Sequence, residues 1–152
     1  MQQYIGIKRI NAISMTRAAY NELRGWTLPD DENGDDEGYL VEYLDSQANT
    51  ARFSGYVSWS PKEVFARAYR QIDDMTFGLA IEALKNGHKI ARTGWNGKGL
   101  WLELHKPGKY SKMTQPYISM GYPDDAETTP GARGPWVASQ TDVLAEDWVL
   151  VD

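Results

Sequence analysis

The tightest constraint on this fold lies between residues 75 and 105, where one segment with helical periodicity is followed at once by two with strand character. Phe77, Ala80, Ile81 and Leu84 recur at i, i+3, i+4 and i+7, which puts a single apolar stripe on a helix that begins at Met75-Thr76 and stops at Gly87. Gly94-Trp95-Asn96-Gly97-Lys98-Gly99 then sets three glycines and an Asn-Gly dipeptide between the apolar runs Lys89 to Trp95 and Gly99 to His105, the mark of a hairpin. A one-sided helix beside a hairpin buries its stripe on the sheet, so the C-terminal half is expected to be α+β, a small antiparallel sheet packed on one helix.

If the hairpin loop is Asn96-Gly97-Lys98, antiparallel pairing places Trp95 opposite Gly99, Thr93 opposite Trp101 and Ile90 opposite Leu104. Ile90, Leu100, Leu102 and Leu104 then face the helix, while Trp95, Trp101 and Glu103 emerge on the other side. A surface carrying two indoles is rarely bare, so a subunit, the N-terminal domain or a ligand is expected to cover it. Further strands are expected at Tyr117 to Met120 and Trp148 to Val151, with a helical turn near Thr141 to Ala145.

The front half reads as a small α+β domain of its own. A strand is expected over Tyr4 to Ile10, then a helix from Arg17 to Arg24 capped by Thr16, stapled by Met15 against Tyr20 and stopped by Gly25. Strands follow at Tyr39 to Tyr43 and Phe53 to Trp59. Ser60-Pro61-Lys62-Glu63 suggests an N-cap Ser, a first-turn Pro and a capping-box Glu, with Trp59 and Val64 as a staple and a helix running to about Arg70. The boundary is placed near Asp73 and Asp74, giving domains 1–73 and 74–152.

Charge and residue content exclude several classes. A net charge of -5 argues against a binder of nucleic acid polymers, which needs clustered Lys and Arg. With no Cys and only His88 and His105, thiolate metal sites are excluded and no metal or other cofactor is expected. Asp30 to Glu37 holds six carboxylates in eight residues but lacks calcium-loop spacing, and reads as a solvated loop. The start of the chain lacks the apolar run of a signal peptide, and no stretch reaches the roughly 20 apolar residues of a membrane span, so a soluble cytoplasmic protein without membrane partners is expected.

Two segments carry candidate chemistry. The loop glycines around Trp95, Asn96 and Gly97 could let backbone N–H groups approach a phosphate, with Arg92, Lys98 and Lys89 as nearby cations. The pattern is G-x-x-G-x-G between strands, and so is not the dinucleotide fingerprint. The second segment, Gly134 to Asp142, follows Trp136 with Ser139, Gln140, Thr141 and Asp142. An indole can stack on a base, an amide can read its edge, and a carboxylate can accept from ribose hydroxyls. The same residues also read as a helix cap, with Ser139 or Thr141 at the N-cap, Asp142 in the first turn and Trp136 simply buried. Both readings stay open on chemistry alone.

Three blocks in order, Met75 to Leu84, Ala91 to Gly99 and Pro135 to Asp142 with Leu144-Ala145-Glu146-Asp147-Trp148, resemble the second Thoeris anti-defence family of phage proteins over about residues 74–152. The resemblance implies a small α+β protein that assembles as a homotetramer and sequesters cyclic ADP-ribose isomers made by host TIR-domain enzymes. It implies no catalysis, and action in the cytoplasm of the infected bacterium. Some members also hold cyclic di- or trinucleotides at a separate site. It further implies that Trp95 and Asn96, with Trp136 and Ser139 to Asp142, form the pocket between adjoining subunits. The front half departs from the family and puts the tetramer in doubt against a homodimer. Two alternatives are a metal-dependent hydrolase of the same nucleotides using Asp124, Asp125 and Glu127, and a protein-binding module using the aromatic face.

Overall fold

The structure is a computed structural model that describes residues 1–151; Asp152, the last residue of the expected second domain, lies outside the described residues. The chain forms two compact units, Met1–Tyr69 and the residues from Arg70 onward.

The first unit contains β1 (Ile10–Ser14), α1 (Arg17–Arg24), β2 (Gly38–Tyr43), β3 (Tyr56–Pro61) and α2 (Lys62–Ala68). The strands form an antiparallel sheet in the order β1-β2-β3. α1 matches expectation: the Thr16 hydroxyl accepts from Ala19 N, and Gly25 ends the helix at φ 68°, where a side chain would be strained. Tyr20 of α1 packs on Leu40 and Val57, with Met15 against the same cluster. The alternate strand residues point the other way, and there Phe65 of α2 stacks on Tyr39 at 4.0 Å.

Two local expectations fail because the ladder wins. The first strand begins at Ile10 rather than Tyr4, since Ile10 pairs with Tyr43, the last residue of β2, and upstream residues have no partner strand. Tyr4 and Ile5 are exposed. Ser60 is not the cap of α2: it pairs with Tyr39 within β3, the strand runs on to Pro61, and the N-cap is Pro61 without a side-chain bond. Val64 stays exposed, while Trp59 turns instead to α1, donating from Nε1 to Met15 O at 2.9 Å beneath the Arg17 guanidinium.

The second unit contains α3 (Phe77–Lys85), β4 (Lys89–Arg92), β5 (Trp101–His105), β6 (Tyr117–Gly121), β7 (Arg133–Pro135), α4 (Gln140–Val143) and β8 (Trp148–Val151). The sheet order is β7-β6-β5-β4-β8, antiparallel throughout. Three-residue β7 was not foreseen, because Arg-Gly-Pro has neither alternation nor β-branching. The Thr76 hydroxyl caps α3, and Ala80 and Leu84 bury its stripe against Ile90, Leu102, Met75 and Trp148. β8 lies between β4 and the residues entering α3: Met75 and Trp148 exchange backbone bonds at 2.8 and 3.2 Å, and Leu150 N donates to Ile72 O.

The β4–β5 register differs from expectation by two residues. Ile90 pairs with Leu102, and residues 93–100 lie outside the ladder. A shift of two keeps every strand side chain on its expected face, so Ile90 and Leu102 still meet α3. It does not keep Trp95 there, because Trp95 is no longer in a strand. The chain leaves β4 after Arg92 because the Asp147 carboxylate captures it, accepting from Gly94 N at 2.9 Å.

Candidate functional site

The candidate site of the second unit is built from the loop after β4, the segment from Trp136 through α4, and the start of β8. Arg92 is the hub. Its Nε donates to Asp147 Oδ1 at 2.7 Å and its Nη1 to Asp142 Oδ1 at 2.9 Å, with a longer contact from Nη2 to Asp147 Oδ2 at 3.4 Å. The Arg92 side chain is only 14% exposed, so water competes weakly for these bonds. Read from sequence as a phosphate ligand, Arg92 instead has its three guanidinium nitrogens on two carboxylates of its own chain.

Asp142 is equally committed. Its Oδ1 also accepts from Trp95 Nε1 at 3.2 Å, and its Oδ2 accepts from Ser139 N and Oγ at 3.0 and 2.6 Å. Ser139 Oγ accepts in turn from Asp142 N, which completes a capping box on α4. Burial pushes the Asp142 carboxyl up, but the bonds from Ser139 and Arg92 outweigh it and hold the pKa at about 2. The Arg92 bond likewise holds Asp147 below the usual carboxylate range, and Asp147 raises Arg92.

Around this charged hub stands an aromatic cluster. Trp148 is fully buried, donates from Nε1 to Asp142 O at 3.0 Å, and meets Phe77, Trp95 and Trp136 at centroid distances of 5.5, 5.5 and 6.0 Å. Trp95 and Trp136 lie 6.3 Å apart at 58°, each half-buried and so with an edge reaching solvent. This corrects the expected pairing of indoles. Trp95 packs on the α3 side, whereas Trp101 lies on the opposite face over Gly121, flanked by Lys89 and Arg133 at 5.1 and 4.5 Å.

Of the sequence-derived site residues, the structure brings Arg92, Trp95, Trp136, Ser139 and Asp142 into this one assembly. Asn96, Gly97, Lys98, Gln140 and Thr141 lie exposed in the adjoining loop and helix. The helix-cap reading holds for Ser139 and Asp142, with Ser139 at the N-cap, although Trp136 is not wholly buried. Gly94 gives the Asp147 carboxylate room, since an added Cβ would lie 2.7 Å from Asp147 Oδ2 and the carboxylate would have to shift. Asp147 and Trp148 had no assigned role, because nothing in a carboxylate 55 residues from Arg92 signals the contact.

The carboxylate clusters behave differently. Glu32 makes two 2.9 Å bonds to Arg17 and Glu37 pairs with Lys62, so part of the acidic loop neutralises cations of the first unit. Asp124, Asp125 and Glu127 are exposed, and among the described residues no three His, Asp or Glu side chains gather in a way that could hold a metal ion. No described helix is long and apolar enough to cross a membrane.

Comparison with known proteins bears on this same half. The Thoeris anti-defense 2-like domain model matches residues 75–151. The chain is also similar to Thoeris anti-defense 2 of Bacillus phage SP01, at 38% identity over 88 residues that cover 51% of this chain and 94% of that protein. The matched span holds α3, the five-stranded sheet and every residue of the Arg92 hub. The chain therefore belongs to the Thoeris anti-defence 2-like family.

Proposed function

We propose that the second unit is a sponge: it binds cyclic ADP-ribose-type immune signals and holds them without cleaving them, so that the host effector is never activated. The observation that carries this reading is the Trp95–Trp136 pair. Two half-buried indoles, one tethered to Asp142, form a wall that is rigid before any ligand arrives, and rigid aromatic surfaces lower the ordering cost of binding. The exposed Asn96, Gly97, Lys98, Gln140 and Thr141 border that wall and supply donors and acceptors for an adenine edge, ribose hydroxyls and phosphates.

In this reading Arg92 is the brace of the wall, and Lys98 is the cation left to face a phosphate. A second copy of the chain completes the pocket, so the working form is a homo-oligomer in the cytoplasm of the infected bacterium. A sponge must compete with the effector by mass action, which calls for a dissociation constant on the order of nanomolar, about -12 kcal/mol.

Native mass spectrometry of the full chain, incubated with cyclic ADP-ribose isomers and cyclic oligonucleotides, tests the reading. The expected result is a stoichiometric complex whose ligand is released unchanged on heating. Recovery of a cleaved product, or no complex with any of them, overturns it.

A further inference from the structure

The first unit leaves one sheet edge open. The bond from Met15 N to Gly38 O at 2.9 Å continues the β1–β2 register, so Met15, Ile13 and Asn11 turn their backbone groups towards β2, and Ile10, Ala12 and Ser14 turn theirs away from it. β1 is the end strand of its sheet, and its residues 11–14 are exposed. We infer that a second copy of the chain fills this edge, its own β1 pairing antiparallel across a two-fold axis at Ala12.

Every other sheet edge of the described chain is guarded. On β3 the bond from Lys62 N to Glu37 O sets the same alternation, which turns Val57, Trp59 and Pro61 outward. There the Asn49 amide takes both backbone groups of Val57 at 2.9 Å, and Pro61 has no N–H to offer. In the second unit β8 is bonded by Met75 and Ile72, while β7 is three residues long and ends in Pro135. β1 has none of these guards. Ile10-Asn11-Ala12-Ile13-Ser14 carries no charge, Pro or Gly, and Ile13 is 58% exposed.

The strand's own chemistry selects a second copy as the occupant. Pairing centred on Ala12 sets Ile10 against Ser14 and Asn11 against Ile13 of the second copy, so the outward N–H and C=O groups of each strand meet their complements, about six backbone bonds in all. Ile13, which shares the α1 face with Leu40, then packs on Asn11 and Ile13 of the second copy. Charge agrees with this register. Arg9 comes opposite Met15 of the second copy, beside the turn of Asp35 and Asp36, where Arg17 N donates to Asp36 O at 3.0 Å. Arg9, Asp35 and Asp36 have no ion-pair partner within one copy among the described residues, and the axis makes the contact twice. None of Arg92, Trp95, Trp136 and Asp142 lies on β1, so the inference goes beyond the sponge reading and holds or fails separately from it.

Hydrogen exchange on the full-length protein, read by NMR at two concentrations, tests the edge directly. The Ala12 and Ser14 amides exchange freely in an isolated copy; pairing is expected to slow them about tenfold or more, with the larger effect at the higher concentration. Ala12→Pro removes only an outward N–H, which an edge strand tolerates. In that variant Ser14 is expected to exchange freely while Ile13, whose amide faces β2, stays protected, and the mass by sedimentation is expected to fall to half. Because the chain has no Cys, Ala12→Cys puts one thiol per copy at the axis, with Cα atoms about 5.5 Å apart, and is expected to form an intermolecular disulfide on mild oxidation. Val64→Cys on the exposed side of α2 is the control. Free exchange of Ala12 and Ser14 at both concentrations, or Ser14 protection that survives Ala12→Pro, overturns the pairing. So does cross-linking of Ala12→Cys no faster than that of Val64→Cys, which also decides the matter if Ala12→Pro costs Ile13 its protection.

Discussion

Trp95 Nε1 and Arg92 Nη1 donate to the same oxygen, Oδ1 of Asp142, at 3.2 and 2.9 Å. The orientation of an aromatic ring at the candidate pocket is thus coupled to a buried ion pair. Asp142 in turn takes its position from the cap of α4, so helix, loop and indole are set together. Three consequences of this coupling can be measured, and a fourth measurement concerns the first unit.

Asp142→Asn removes the charge shared by Arg92, Trp95 and Ser139. Arg92 keeps Asp147, so the loss should fall below that of a wholly orphaned buried charge, at about 2 to 3 kcal/mol. Urea unfolding followed by tryptophan fluorescence should show a lower midpoint. An unchanged midpoint would mean that the Asp142 bonds contribute nothing net.

The same carboxylate sets a pH dependence. Its folded pKa of about 2 lies below the ordinary value of 3.8, so its contribution is fully present above about pH 4 and is lost as pH falls through 2. The size is about 2 kcal/mol. Stability of the wild type measured between pH 5 and 2 should fall more steeply than that of Asp142→Asn, and parallel curves would remove Asp142 as the cause.

Trp95→Ala tests the wall directly. The variant should remain folded, since Trp148 and Phe77 keep the buried part of the cluster, and should lose on the order of 1 to 3 kcal/mol in affinity for a cyclic ADP-ribose isomer through lost stacking. Trp136→Ala should do the same. Full affinity by calorimetry in both folded variants would move the pocket elsewhere.

In the first unit, Asn49 acts as a substitute strand: its Nδ2 donates to Val57 O and its Oδ1 accepts from Val57 N, both at 2.9 Å. Tyr20 also donates to Val57 O, so Asn49→Ala chiefly orphans the N–H of a fully buried residue. The expected cost is about 1 to 3 kcal/mol, together with faster hydrogen exchange at the Val57 amide. Protection equal to the wild type would show that another acceptor takes over.

Much of the architecture was legible because it rests on local signals. Thr16 and Gly25 bound α1, Thr76 and Gly87 bound α3, and the stripe of α3 named the residues that meet the sheet. The misreadings share one cause. Ser60 has the chemistry of a cap and Tyr4 to Ile10 the pattern of a strand, but each was decided by whether a partner strand reached that position. The β4–β5 hairpin failed similarly: Asn-Gly promised a tight turn, and Asp147 opened it into an eight-residue loop.

For the site, the residue types were evident and their roles were not. Sequence alone determined that two tryptophans, a glycine loop and a polar segment after Trp136 belong to the second half, because periodicity, turn chemistry and capping act over a few residues. Only the tertiary structure decided that Trp95 leaves the face of Trp101 for the α3 side, and that Arg92 is bound to carboxylates of its own chain. Those outcomes depend on Asp142 and Asp147, which lie 50 and 55 residues away along the chain. Charge pairing in a buried setting acts through space, and no spacing along a sequence encodes it.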